Sequence, residues 1–149
     1  KIVQLLMTAD NKPSIAVLLV QKEVAERLAA VPGDMSILAV SAQLYADVYL
    51  GDIVPAELFT PPPKVDSQVV VLRTRSEPLF TDITEKQYFR VVKAGFSAKR
   101  KKLRSSLSGG LGISKPDAGT LLEKTGISPD LRAEDLTLEQ WYVLAKAAA

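Results

Sequence analysis

Leu58-Phe59-Thr60-Pro61-Pro62-Pro63-Lys64-Val65-Asp66-Ser67 lies between two strand-like apolar runs and carries three consecutive prolines. Each proline fixes its own φ and restricts the residue before it, so residues 60–63 are expected to be extended and stiff. Such a loop holds the Phe59 ring in a defined place. An aromatic on a rigid loop at a sheet edge suits stacking of a flat group such as a nucleobase. A ring that simply packs into the core satisfies the same pattern.

Working outward, residues 47–54 read as a strand, interrupted or bulged at Gly51, and residues 68–75 as another, built on Val69-Val70-Val71-Leu72. Asp66-Ser67 supplies side-chain-to-backbone bonds at the end of the loop. Residues 14–21 form a continuous apolar run, the mark of a strand buried on both faces in a mainly parallel sheet. Helical patterns separate these strands. Residues 1–8 read as the end of a helix and Asp10-Asn11-Lys12-Pro13 as a turn. Residues 22–30 form a helix with Val24, Leu28 and Val31 along one side, stopped by Pro32-Gly33-Asp34. Glu23 and Arg27, four apart, suggest an ion pair on it. Ser36 caps a further helix to about Tyr45.

Composition shifts at Ser76-Glu77-Pro78, which places a domain boundary between residues 1–77 and 78–149. The second part reads as all-helical. Thr84 caps a helix with Phe89, Val92 and Phe96 on one stripe. Ser97 is expected to cap a separate basic helix over residues 98–107, which turns Arg100 outward, and residues 108–112 form a glycine-rich loop. Ser114 and Pro116 open a helix that ends near Thr125 at Gly126. Thr137 and Gln140 form a capping box for the last helix, docked through Trp141 and Leu144. Tyr45, Tyr49, Tyr88 and Trp141 read as packing residues.

The 149 residues are 47% hydrophobic and 24% charged, an ordinary globular composition. Without cysteine there is no disulfide framework or thiolate chemistry. Without histidine a His-dependent hydrolase or zinc enzyme is excluded for this chain. The longest apolar run, residues 15–20, is far too short to span a bilayer, and no signal peptide is visible. A cytoplasmic protein with no membrane partner is expected. The net charge of +2 hides a block of eight basic and no acidic residues between Lys86 and Arg104. Folded onto a surface, such a block favours a polyanion; a solvated helix face is the bland alternative.

The order Phe59-Thr-Pro-Pro-Pro-Lys-Val-Asp-Ser67 followed by an apolar strand closely resembles the late, substrate-side motif of the rRNA adenine N6,N6-dimethyltransferases. Residues 20–28, Val-Gln-Lys-Glu-Val-Ala-Glu-Arg-Leu, resemble that family's passage from strand five into the next helix. Residues 96–107, Phe-Ser-Ala-Lys-Arg-Lys-Lys-Leu-Arg-Ser-Ser-Leu, resemble its basic helical signature, where the family more often has Asn at the last polar pair. The resemblance covers the whole chain but only the C-terminal part of a full-length enzyme.

The resemblance implies an S-adenosylmethionine-dependent methyltransferase fold: an α/β, Rossmann-like sheet with an antiparallel last hairpin, then a small all-helical RNA-binding domain. It implies transfer of methyl groups from S-adenosylmethionine to N6 of two adjacent adenosines of small-subunit rRNA, in ribosome biogenesis, by a monomer. The target base must be extruded to be reached. Phe59 would stack on it, with Thr60, Pro61, Pro62 and Pro63 as rigid support. Lys64, Lys99, Arg100, Lys101, Lys102 and Arg104 would bind RNA phosphates. The family's glycine-rich cofactor loop, acidic ribose-binding residue and Asn-Ile/Leu-Pro-Tyr tetrapeptide all precede the start of this chain. The chain alone is therefore expected to be inactive, with no cofactor-binding residues and no metal site, and the strand at 14–21 to expose an unpaired edge. Competing readings are a non-catalytic rRNA-docking module, an erythromycin-resistance-type methylase of large-subunit rRNA, and a relative turned mitochondrial transcription factor.

Overall fold

The computed structural model describes residues 2–9 and 11–149, so the expectations that fall on Lys1 and Asp10 lie outside the described residues. The chain divides into two compact units, Lys1–Ala30 with Leu38–Leu79, and Val31–Ile37 with Phe80–Ala149.

The first unit contains α1 (Ile2–Thr8), β1 (Ile15–Gln21), α2 (Lys22–Leu28), α3 (Ile37–Gln43), β2 (Ala46–Val54) and β3 (Ser67–Thr74). The strand order is β1-β3-β2, so the last strand in sequence is central, antiparallel to both neighbours. Val17, Val71 and Tyr49 form one cross-strand row. On the opposite face Ala16, Val70 and Leu72 pack with Val3, Met7, Ala25, Leu28, Ala42 and Ala46 into one core. Burial of that apolar surface is the main stabilising term of the unit.

β1 departs from the sequence expectation. Its side chains alternate, with Ile15, Val17 and Leu19 51–63% exposed, so it is covered on one face only. Both pairings within the described residues are antiparallel, and the buried cluster lies on one face of the sheet. An apolar run marks a strand but cannot tell how many of its faces are covered. Tyr49, read as a packing residue, is 52% exposed on the same open face. The bulge expected at Gly51 is present as a register shift between Leu50 and Ile53. Gln68 Nε2 donates to Gly51 O at 3.1 Å, and a Cβ on Gly51 would lie 3.0 Å from Val69 Cβ.

The expected Glu23–Arg27 pair is not the one that forms; Lys22 and Glu26 pair instead at 3.8 Å. Both spacings are i,i+4, and exposed pairs of this kind contribute so little that sequence cannot choose between them. Helix α2 stops at Leu28, and Val31 is 65% exposed rather than on its packed side. Gln43 Nε2 donates to Leu28 O and Ala30 O, each at 2.9 Å, which satisfies carbonyls left over at the α2 terminus.

The second unit holds α4 (Glu85–Phe96), α5 (Leu103–Leu111), α6 (Lys115–Lys124) and α7 (Leu138–Ala148). The sequence signals for the starts of α4, α6 and α7 are realised. Thr84 with Gln87 and Thr137 with Gln140 form capping boxes, and Ser114 accepts from Asp117 N. Trp141 and Leu144 are fully buried with Tyr88, Val92, Leu103, Leu107 and Leu122.

The break after α4 occurs, but not as expected. Ser97 ends α4, with its hydroxyl donating to Ala94 O at 2.6 Å, and it caps no new helix. No helix covers residues 98–102; α5 begins at Leu103. Gly109 and Gly110, expected in a loop, are helical. Gly112 ends α5 at φ 68°, the left-handed conformation that glycine adopts without a Cβ penalty. The reason for Gly110 is packing, since a Cβ there would lie 2.5 Å from Ala94 Cα.

Phe80 stacks between Tyr88 and Tyr142, with ring centroids 5.0 and 5.4 Å away. Beside it the Tyr142 hydroxyl donates to both Asp82 oxygens at 2.8 and 2.7 Å, and Lys146 Nζ pairs with Asp82 at 2.9 Å. The tyrosine hydroxyl first and the lysine ammonium second hold the Asp82 carboxyl below its ordinary value of 3.8. A depressed acid stabilises the fold above its unfolded pKa, and that contribution is lost as pH falls through the folded one. The melting temperature of the native chain should therefore fall more steeply below pH 3.8 than that of Asp82→Asn. Parallel curves would show that the exposed triad contributes nothing.

Candidate nucleic-acid interface

The proline loop belongs to the first unit. After β2 the chain makes a short 3-10 turn, Ala56–Leu58, and Phe59 closes it in extended conformation at φ −99° and ψ 152°. The Thr60–Pro61 bond is cis, and residues 60–66 are all exposed. Asp66 ties the loop shut across ten residues rather than locally, because its Oδ1 accepts from Ala56 N at 2.9 Å. Its carbonyl accepts from Lys22 N at 3.0 Å, which fixes the loop's end to the start of α2. Phe59 is half-buried. Among the described residues it belongs neither to the buried cluster of its unit nor to a ring–ring contact. Leu58, 70% exposed, and Val65, 49% exposed, are apolar residues of the same loop region that sequence reading did not single out. Lys64 shares a shallow depression with Lys22, Glu23, Glu26, Val65 and Asp66, so its surroundings are of mixed charge.

The basic residues of the second unit fall into two groups. Lys86, Arg90 and Lys93 are exposed along α4. Their 4- and 3-residue spacing puts them on one stripe, opposite the buried Tyr88, Val91 and Val92. These three had not been singled out, although the period of α4 was the signal available. Lys99, Arg100 and Lys101 occupy the turn between α4 and α5, closed by Lys101 N donating to Ala98 O at 2.9 Å. All three are exposed with no carboxylate in ion-pair range among the described residues. The basic group is thus a turn, not a helix.

That turn is fastened behind. Leu103, fully buried, donates its N–H to Leu131 O at 2.8 Å, and Arg104 N donates to Pro129 O at 3.4 Å. Two of the amides left open at the α5 N-terminus are thereby satisfied from within the unit. Lys102, the N-cap residue, sends Nζ to Asp130 Oδ1 at 3.3 Å. It is partly neutralised, whereas its three predecessors are available. Arg104 points elsewhere, with Nε over Gly119 of α6.

A glycine-rich loop of the nucleotide-cofactor kind turns from a strand into a helix. The glycines at 109 and 110 instead lie inside α5, and no strand precedes it in this unit. No cluster of metal-ligating side chains occurs among the described residues, and no described helix is long and apolar enough to cross a membrane.

The sequence profile of the ribosomal RNA adenine dimethylase family matches residues 1–149. A ribosomal RNA small subunit methyltransferase A of Dehalococcoides mccartyi is 39% identical over 138 residues, covering 93% of this chain and 47% of that protein. The protein of that name from Desulfitobacterium hafniense is 44% identical over 142 residues, covering 93% and 51%. The chain spans about half the length of the curated relatives it matches. A crystal structure of a dimethyladenosine transferase from Plasmodium falciparum superposes with a TM-score of 0.76 at 24% identity, covering 94% of this chain and 58% of that one. The 23S rRNA methyltransferase ErmE superposes at 0.71 and 26% identity, covering 98% and 59%. The fold is accordingly the C-terminal part of a Rossmann-like methyltransferase sheet with an antiparallel last hairpin, followed by a small helical unit.

Proposed function

Because this chain belongs to the ribosomal RNA adenine dimethylase family, we propose that its protein transfers methyl groups from S-adenosylmethionine to N6 of two adjacent adenosines of small-subunit rRNA. In this reading it works as a cytoplasmic monomer during ribosome biogenesis. Residues 1–77 serve as the C-terminal portion of the catalytic domain, and residues 78–149 as a helical RNA-binding domain. S-adenosylmethionine supplies an electrophilic methyl group when bound, and the residues described here act on the RNA.

The observation that carries the proposal is the setting of Phe59. It is held at the head of an exposed triple-proline loop, half-buried and outside the core cluster. An adenine removed from its stack loses aromatic contact, and a ring fixed in advance restores it without ordering cost. Thr60 to Pro63 support the ring, and Lys64 at the depression beside α2 reaches a neighbouring phosphate. The exposed turn at Lys99, Arg100 and Lys101, with Lys102 and Arg104 beside it, supplies the phosphate contacts that set position without reading sequence. The small-subunit target is favoured over a large-subunit one by relatives of that name at 39% and 44% identity, against 26% for ErmE.

The test is transfer of labelled methyl groups to unmethylated small ribosomal subunits by the full-length protein and its Phe59→Ala variant. Loss of a stacking contact worth about 1–3 kcal/mol should lower turnover by roughly fivefold to 150-fold with unchanged melting. Equal activity would remove Phe59 from the site. A full-length protein that transfers no methyl group yet binds subunits with strong salt dependence would instead be a docking module.

A further inference from the structure

The helical unit carries a groove separate from the basic turn. It lies where α5 and α6 meet the 126–129 segment, lined among others by Arg104, Lys115, Pro116, Gly119, Glu123 and Pro129. Its floor is mainly apolar, with Gly119 leaving it open. Two cations stand at it. Arg104 lines it, with Nε 3.6 Å from the place a Cβ on Gly119 would occupy. Lys115 stands at the first residue of α6. Neither has a carboxylate in ion-pair range among the described residues. Glu123, eight residues further along α6, lines the other end. At 1.5 Å rise per residue, that is about 12 Å from Lys115.

We propose that this groove binds one unpaired nucleotide of an RNA strand, with its base on the Arg104 guanidinium plane and its phosphate on Lys115. The inference rests on the RNA-docking reading above and adds a second contact to it. Arg104 follows the basic turn in sequence but sends its side chain toward α6, so its cation is presented at the groove rather than at the turn. A guanidinium plane over an apolar floor accepts the flat face of a base, as single-stranded recognition requires. The ridge of a duplex presents phosphates and sugars instead, and an apolar floor gives these no partners. Glu123 sets polarity: it repels a phosphate at its own end and leaves Lys115 as the anion's partner.

Gly119 provides a test that leaves both cations in place. It is inside α6, and the space above it is ordinary van der Waals distance from a flexible side chain, so Gly119→Gln fills the groove with a good helix former. The experiment measures binding of a labelled single-stranded oligoribonucleotide and of a blunt RNA duplex to the protein across a salt series. Three variants are compared with the native protein: Gly119→Gln, Lys115→Ala, and the combined Lys99→Ala, Arg100→Ala, Lys101→Ala. Melting is followed to confirm that each folds.

Gly119→Gln should weaken single-strand binding several-fold, with duplex binding unchanged. Lys115→Ala should lower the single-strand log–log salt slope by about 0.7, the value for one phosphate. The combined variant should weaken both ligands. If the two groove variants bind both ligands like the native protein while the combined variant does not, the groove inference is overturned and the docking reading stands. If the combined variant also binds normally, both are overturned.

Discussion

Neutralising Lys99, Arg100 and Lys101 together is expected to cost RNA affinity on the order of tenfold to a hundredfold at low salt, and to flatten the log–log salt dependence by about 2–3. The three side chains project from an exposed turn and have no carboxylate partner among the described residues. Each phosphate they neutralise releases counterion, so removing them removes slope as well as affinity. Lys102→Ala should do much less, because its Nζ already sits 3.3 Å from Asp130. None of the four supports the core; the α5 start is held by Leu103 N to Leu131 O at 2.8 Å. Melting should therefore stay put. A salt slope unchanged in the triple variant would mean that the turn does not touch the RNA backbone.

The second large effect concerns two adjacent glycines with opposite outcomes. Gly110→Ala is expected to destabilise the helical unit by about 1–3 kcal/mol. Its Cβ would lie 2.5 Å from Ala94 Cα and 2.7 Å from Ala94 O, and both are backbone atoms that cannot swing away. The intrinsic helix preference for alanine, about 1 kcal/mol, is too small to reverse that overlap. Gly109→Ala meets nothing within 4 Å and should gain stability by roughly 0.5–1 kcal/mol. Urea denaturation of the two variants settles the point. Stabilisation by both would mean that α4 and α5 do not approach as closely as Gly110 and Ala94 require.

These glycines also mark where the sequence ceased to be legible. Ser108-Gly109-Gly110-Leu111-Gly112 read as a loop because glycine is both a turn residue and a residue of close contact, and composition does not separate the two roles. Only Ala94, from another helix, does so. The same limit applied to Ser97, which has the chemistry of a helix start and serves at a helix end. It applied to β1 as well, whose apolar run gave no sign that Ile15, Val17 and Leu19 would stay about half exposed or more. Of the candidate site, the proline loop and the basic block were visible in the sequence because each is contiguous, whereas the α4 stripe of Lys86, Arg90 and Lys93 was not singled out. The geometry of loop and block was not visible, because Asp66 closes its loop on Ala56, and Arg104 reaches α6 rather than the turn before it.

What the sequence determined alone was whatever one helical turn or one proline ring enforces. That includes the capping boxes at Thr84 and Thr137, the Ser114 cap, the stiff run from Thr60 to Pro63, and the bulge at Gly51. Family membership was legible for the same reason, in contiguous motifs. The tertiary structure decided the insertion of β3 between β1 and β2, the open face of the sheet, and the α4–α5 crossing at Gly110. It also decided which cations stand free. Those outcomes depend on contacts between residues distant in the chain, where packing and burial outweigh local preference and one residue type can serve opposite ends.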